Sequence, residues 1–237
     1  MAGAEGHETG TAGVIELQNA GYSYGHGSLL SELSLALPSG SFHFLVGPSG
    51  AGKTTLLKLC YGDLKPTSGA VMLDGRDTRG MGRDGLAQMR RRIGVVHQDC
   101  QFIDHLTIRE NVALPLMVSG RDLAAEAGNL DQLLGWVGLA PRAAARPPEL
   151  SGGERQRAAL ARAIIMDPEV IIADEPTGNI DWEMSQRLLS LLAELNRLGK
   201  TVLVATHDLA LIRAAKAQVS ARVLRLAGGV LQAGAEL

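Results

Sequence analysis

The chain has 237 residues, 46% of them hydrophobic and 20% charged, which is ample for one sizeable core with a subdomain. A net charge of −2 argues against bulk attraction to nucleic acid or to an anionic membrane surface, so no nucleic-acid partner is expected. The two cysteines, Cys60 and Cys100, make no metal-ligand spacing and fit a reduced, cytoplasmic protein better than a disulfide framework.

In chain order, residues 1–13 (MAGAEGHETGTAG) are small and polar, with neither a basic region nor an apolar core. They read as a disordered tail rather than a signal peptide. From residue 14 onward, short β-branched runs alternate with helical patterns, the mark of an α/β fold. Strands are expected at 14–17, 33–37, 42–46, 70–73, 93–97, 170–174, 201–205 and 223–226. The runs at 170–174 and 201–205 are apolar throughout, as in strands covered on both faces. Between about 99 and 166 the pattern turns helical, with helices expected at 111–118, 123–137 and 152–165. Pro147 and Pro148 separate the last two. The sequence therefore predicts a sheet core over 14–237 interrupted by a helical insertion. GRDTRGMGRDG at 75–85 reads as a surface loop, and the arginines at 90–92 as a solvated helix end. No apolar run approaches bilayer length, so a role at a membrane requires a partner.

GPSGAGKT at 47–54 fits the phosphate-loop pattern G-x-x-x-x-G-K-[ST], between an apolar run (FHFLV) and a helical one (TTLLKLC). Gly47, Pro48, Ser49, Gly50, Ala51 and Gly52 would let backbone N–H groups turn inward around a phosphate, with Thr55 continuing the grip into the helix. Lys53 can reach the β and γ phosphates, and Thr54 can hold Mg²⁺. VIIADE at 170–175 ends an apolar strand in two acids. Successive strand residues face opposite sides, so the two can share a site only if the chain turns there. Asp174 is then the natural Mg²⁺ partner, and Glu175 the base that orients or deprotonates a water. Alone, this pair reads equally well as helix-capping acids; the phosphate loop tips the reading to function. His207 follows the strand TVLVA, where a γ-phosphate contact is expected, and Gln98 ends GVVHQ, where it could ligate Mg²⁺ or water.

ELSGGERQRAALARAI at 149–164 opens a second helix on glycines. Ser151 and Glu154 form a capping box, which leaves Gly152 and Gly153 unexplained. Glycine costs up to about 1 kcal/mol relative to Ala within a helix. Its presence twice here suggests that a large anionic group approaches the helix end.

At this point the chain resembles the nucleotide-binding subunits of ABC transporters, from Val14 to Leu231. The likeness rests on GPSGAGKTT, the glutamine of VVHQD, LSGGERQR, VIIADEP, GNID and the histidine of ATHD, in that order. It implies a P-loop NTPase core with an antiparallel β subdomain and an inserted helical subdomain, acting as a Mg-dependent ATPase. In this family adenine stacks on an aromatic residue before the phosphate loop; Tyr24 in GYSYG best matches, with Tyr22 as the alternative. Family members form head-to-tail dimers. The resemblance thus places Ser151, Gly152 and Gly153 on the γ-phosphate of a second copy, and Asp181 across the interface. DEPTGNID and residues 90–120 are most similar to the FtsE-type cell-division branch; lipoprotein-release (LolD) and macrolide-export ATPases are near alternatives. His97 stands where Phe is more usual. This branch implies an integral membrane partner like FtsX and a place on the inner face of the cell membrane through that partner. Soluble members acting on DNA or ribosomes carry coiled-coil insertions, zinc cysteines or tandem units, and the sequence shows none of these.

Overall fold

The apolar runs pair into two sheets in a computed structural model that describes residues 14–25, 27–178 and 180–236. The tail expected at 1–13 lies outside the described residues. β1 (Ile15–Ser23), β2 (Ser28–Leu37), β4 (Ser68–Leu73) and the two-residue β5 (Arg76–Asp77) form an antiparallel sheet in the order β2-β1-β4-β5. The second sheet takes β3 (Phe42–Val46), β6 (Ile93–Val96), β7 (Val170–Asp174), β8 (Thr201–Ala205), β9 (Ala221–Ala227) and β10 (Val230–Glu236). Its order is β10-β9-β3-β8-β7-β6, and every pairing is parallel except that of β10 with β9.

Burial explains why the central strands read so plainly. Every residue of β7 and β8 is buried, so neither has a solvent face on which polar residues could alternate. β3 divides its side chains between two cores. Leu45 packs with Leu56, Leu57 and Leu59 of α1 (Lys53–Cys60) and with the antiparallel sheet, while Phe42 and Phe44 face Leu188, Leu189 and Leu192 of α6 (Trp182–Arg197). Each such buried side chain contributes about 1.5–3 kcal/mol. His43 alternates with the two phenylalanines, is buried, and has no partner for Nδ1. Burial, helped by the Arg222 charge, lowers its pKa to about 4.

Between β6 and β7 the described elements are all helical: α3 (Ile108–Val118), α4 (Ala127–Trp136), α5 (Gly152–Ile164) and two short 3₁₀ turns. Ile108, Val112, Leu130, Leu134 and Leu150 give this segment a core of its own. The remaining helices are α2 (Arg83–Arg91) and α7 (Leu209–Ala215). Among the described residues no helix is long and apolar enough to cross a membrane. Both cysteines are free and buried, and burial pushes the Cys60 thiol up to about 12.

Several sequence expectations are corrected. β2 starts at Ser28 rather than 33, and β6 stops at Val96, one residue before His97. α4 begins at Ala127 because residues 123–126 form turns. The stretch 75–85 is not simply a loop: it holds β5, a 3₁₀ turn at Thr78–Gly80 and the start of α2. The arginines are not merely solvated either. Arg90 donates to Gly62 O at 2.5 Å, and Arg92 ties Glu169, beside β7, to Asp74, beside β4, at 2.6 and 2.8 Å.

Candidate active site

Parallel strands deliver the segments that follow them to one edge of the sheet. Leu45 and Asp174 both pair with Ala205, and Val96 pairs with Ala173, so the ends of β3, β8, β7 and β6 emerge side by side. The loop 47–52 leaves β3, Gln98 follows β6, Glu175 follows β7 and His207 follows β8. Together they line a cleft of about 730 Å³, with Pro48, Ser49, Gly50, Gly52, Lys53, Thr54, Thr55, Gln98, Asp174, Glu175 and His207 on its walls. Leu29 of β2, which the sequence did not single out, completes the lining.

Local chemistry sets each wall. Gly52 is the N-cap of α1 at φ 98, and a Cβ there would meet Leu30 Cδ2 at 2.9 Å. No side chain caps the helix, so its first amides remain available to an anion. Lys53, only 8% exposed, donates to Gly47 O at 2.9 Å and Pro48 O at 3.3 Å, and its Nζ lies 3.4 Å from Glu175 Oε1. Glu175 Oε2 accepts from the backbone N of His207 at 3.3 Å and lies 3.0 Å from His207 Nδ1. Glu175 sits at φ 44, in the left-handed region, with its own N–H donating to Ala205 O at 2.9 Å. That conformation costs roughly 1–2 kcal/mol for a residue with a side chain. It also ends the strand's alternation, which is how both Asp174 and Glu175 come to face the cleft.

Asp174 carries the observation that bears on a metal. It is buried; burial raises its pKa, and the hydrogen bond from Thr54 only partly opposes the shift. Its Oδ1 has no hydrogen-bond partner. A buried carboxylate oxygen left unpaired is costly unless a cation or water meets it. With the Thr54 hydroxyl and the Gln98 amide it makes an all-oxygen donor set, which suits Mg²⁺. Among the described residues no group of three or more His, Cys, Asp or Glu could hold a metal. An ion here would therefore draw further oxygens from its ligand, as Mg²⁺ does from phosphates.

The structure keeps the other expected residues out of this cleft. Ser151 caps α5, accepting from Glu154 N at 3.3 Å while Glu154 accepts from Ser151 N at 2.8 Å. Asp181 caps α6, accepting from Met184 N at 2.9 Å. Ser151, Gly152 and Asp181 are exposed, as is Trp182. Gly153 also has a packing reason within the chain. A Cβ there would lie 2.8 Å from Met184 Cγ, so the chain's own α6 already demands glycine. Tyr24 is 60% exposed and meets Tyr22 edge-on at 4.7 Å, while Tyr22 packs partly against the core; of the two, Tyr24 offers the free ring. Sequence reasoning also missed Gln156 of α5, which reaches Gln98 O at 3.4 Å, and no spacing signal marks it.

Comparison with known proteins gives a consistent picture. A family model described as ABC transporter matches residues 30–178. The cell division ATP-binding protein FtsE of Haemophilus influenzae is 44% identical over 207 residues, covering 84% of this chain and 93% of that one. The methionine import ATP-binding protein MetN 2 of Burkholderia mallei is 42% identical over 191 residues; the match covers 80% of this chain but only 48% of the relative. Among solved structures, a dimeric post-hydrolysis state of the ATP-binding cassette MJ0796 bound to ADP and Pi superposes with a TM-score of 0.84 at 34% identity. That match covers 94% of this chain and 98% of the cassette.

Proposed function

This chain belongs to the ABC transporter family, and from that premise we propose that it hydrolyses ATP in the cleft described above, as one half of a head-to-tail dimer. Residues 14–237 would form the ATPase domain, with a helical subdomain at about 99–166. The observation that carries the reading is the meeting of Lys53, Asp174, Glu175, His207 and Gln98 in one cleft while Ser151 and Asp181 stand exposed outside it.

The uncapped start of α1 and the loop before it hold the phosphates. Lys53 exchanges its contacts with Gly47 O, Pro48 O and Glu175 for β and γ oxygens. Release from Lys53 leaves Glu175 free to orient the attacking water and take its proton, with His207 Nδ1 holding the carboxylate in place. Thr54, Gln98 and Asp174 would hold Mg²⁺, which when bound supplies positive charge against the charge on the phosphate oxygens. Tyr24 would stack on the adenine. Ser151 and Gly152 would close over the γ-phosphate held by the second copy, with Asp181 at the interface and Gly153 setting the helix end from behind. The dimeric form of the related cassette supports this arrangement.

The finer role we propose is that of an FtsE-type subunit, coupling ATP-driven closure to an FtsX-like integral partner in cell division, on the inner face of the membrane. The near-complete coverage of the FtsE relative favours it; the methionine-import relative is twice as long as the matched region. Lipoprotein-release and export ATPases remain the alternative of the same chemistry. Purification from native membranes should bring down an FtsX-like protein, and an import or export permease in its place would overturn the cell-division role. For the mechanism, Glu175→Gln with ATP should run as a dimer on size exclusion. A strictly monomeric variant at saturating ATP would refute the two-copy site.

A further inference from the structure

The segment after Gln98 is held in a way that hydrolysis alone does not require. Cys100 and Gln101 are consecutive non-glycine residues in the left-handed region, at φ 54 and 46. Such a pair persists only where its surroundings fix it. Besides the local bonds from Cys100 N to His97 O and from Gln101 N to Asp99 O, the turn is held by one side chain from near the end of the helical insertion. The Arg162 guanidinium, on α5, donates Nη1 to Gln101 O at 2.8 Å and Nη2 to Cys100 O. It also lies over the next residue's ring, Phe102, at 4.8 Å from the centroid. No carboxylate pairs with Arg162 among the described residues, so two peptide carbonyls and one aromatic face serve in place of a counter-ion.

The same helix reaches the segment a second time, through Gln156 Nε2 to Gln98 O at 3.4 Å. On the other side, the buried Asn111 of α3 brackets Ile103, accepting from its N at 2.8 Å and donating to its O at 3.0 Å. Residues 98–103 are thus gripped through their backbone by α3 and α5, whereas the Gln98 side chain lies in the cleft. A rotation of α5 moves the carbonyls of Cys100 and Gln101 with it, because a planar fork bonded to two acceptors fixes direction as well as distance.

We propose that Arg162 is a positioning residue for Gln98: by holding the left-handed turn at Cys100–Gln101 it sets where the Gln98 side chain stands in the cleft, and ties that placement to the orientation of α5. This rests on the reading above that Gln98 serves in hydrolysis. Lysine at 162 keeps the charge but loses the two-carbonyl fork. Glycine at 101 adopts the left-handed conformation without help.

The test is steady-state hydrolysis by the full chain with ATP and Mg²⁺, comparing Gln98→Ala, Arg162→Lys, the two together, and Arg162→Lys with Gln101→Gly. Arg162→Lys should lower kcat by about tenfold and leave KM for ATP within about twofold. Adding it to Gln98→Ala should cost nothing further, because both changes remove the same placement. Gln101→Gly should restore about threefold of the loss in the Arg162→Lys background. Additive losses, or no rescue by glycine, would overturn the proposal while leaving the role of Gln98 intact. A Gln98→Ala variant with undiminished kcat would overturn that role and the proposal with it. Should Arg162→Lys not fold, Arg162→Gln, whose single amide cannot donate to both carbonyls as the guanidinium fork does, takes its place in the same cycle with the same expected outcomes.

Discussion

The cleft at the edge of the parallel sheet and the paired starts of α5 and α6 both offer glycines and helix ends, yet they differ in what is already bonded. In the cleft, Lys53, Glu175 and His207 hold one another, and the Oδ1 of Asp174 is the group left open. At the helix starts, Ser151 and Asp181 satisfy only their own helices and face outward. The first region is a set of charges arranged by long-range strand pairing and waiting for an exchange of partners. The second is locally finished, each cap bonded within its own helix. The contrast teaches that capping explains why a helix begins where it does, while the exposure that remains after capping leaves Ser151 and Asp181 open to the second copy proposed above.

Three changes break or sharpen this contrast, in descending size. Lys53→Ala should cut ATP hydrolysis by roughly 10³-fold, since it removes the charge aimed at the transferring phosphate. A variant with normal turnover would deny the cleft its chemistry. Ser151→Arg should lower hydrolysis by about 10²-fold and leave nucleotide binding by the monomer within about twofold, since the residue lies outside the cleft. If monomer binding collapsed, the second region would be serving its own cleft and the contrast would vanish. The third concerns β3, the strand from which the phosphate loop springs. The folded pKa of His43, about 4, lies below the ordinary histidine value of 6.5, so the unfolded chain binds the extra proton first. Stability is then full above 6.5 and falls as the pH drops to about 4, by on the order of 3 kcal/mol. His43→Leu should flatten that acid slope in denaturant titrations taken at several pH values. An unchanged slope would assign the acid sensitivity to other groups.

Much of the fold was legible because buried strands leave no room for ambiguity. β3, β7 and β8 are short apolar runs, and their ends announced the acids and histidine that line the cleft. α2 and β5 were not legible. Only Met89 of α2 is buried, so its sequence carries little apolar periodicity, and β5 is two residues paired to β4. α6 is the opposite case: Leu188, Leu189, Leu192 and Leu195 recur at helical spacing, yet the reading from sequence passes over them in favour of the motif that precedes them. In the site, residue types were readable and their bonds were not. Nothing in VIIADE tells that Glu175 turns left-handed, and nothing in LSGGE tells that Met184 lies against Gly153. Both depend on elements far away in the chain.

The buried state of Cys60 and Cys100 has a practical side. With one thiol pushed up to about 12 by burial and the other also enclosed, neither native cysteine is expected to react readily with thiol reagents. An introduced cysteine would thus be the first to react. Placed at Ser49 on the cleft and at Ser151 on the exposed helix start, a pair of such labels would make the closing of one copy over another visible as a covalent link between chains.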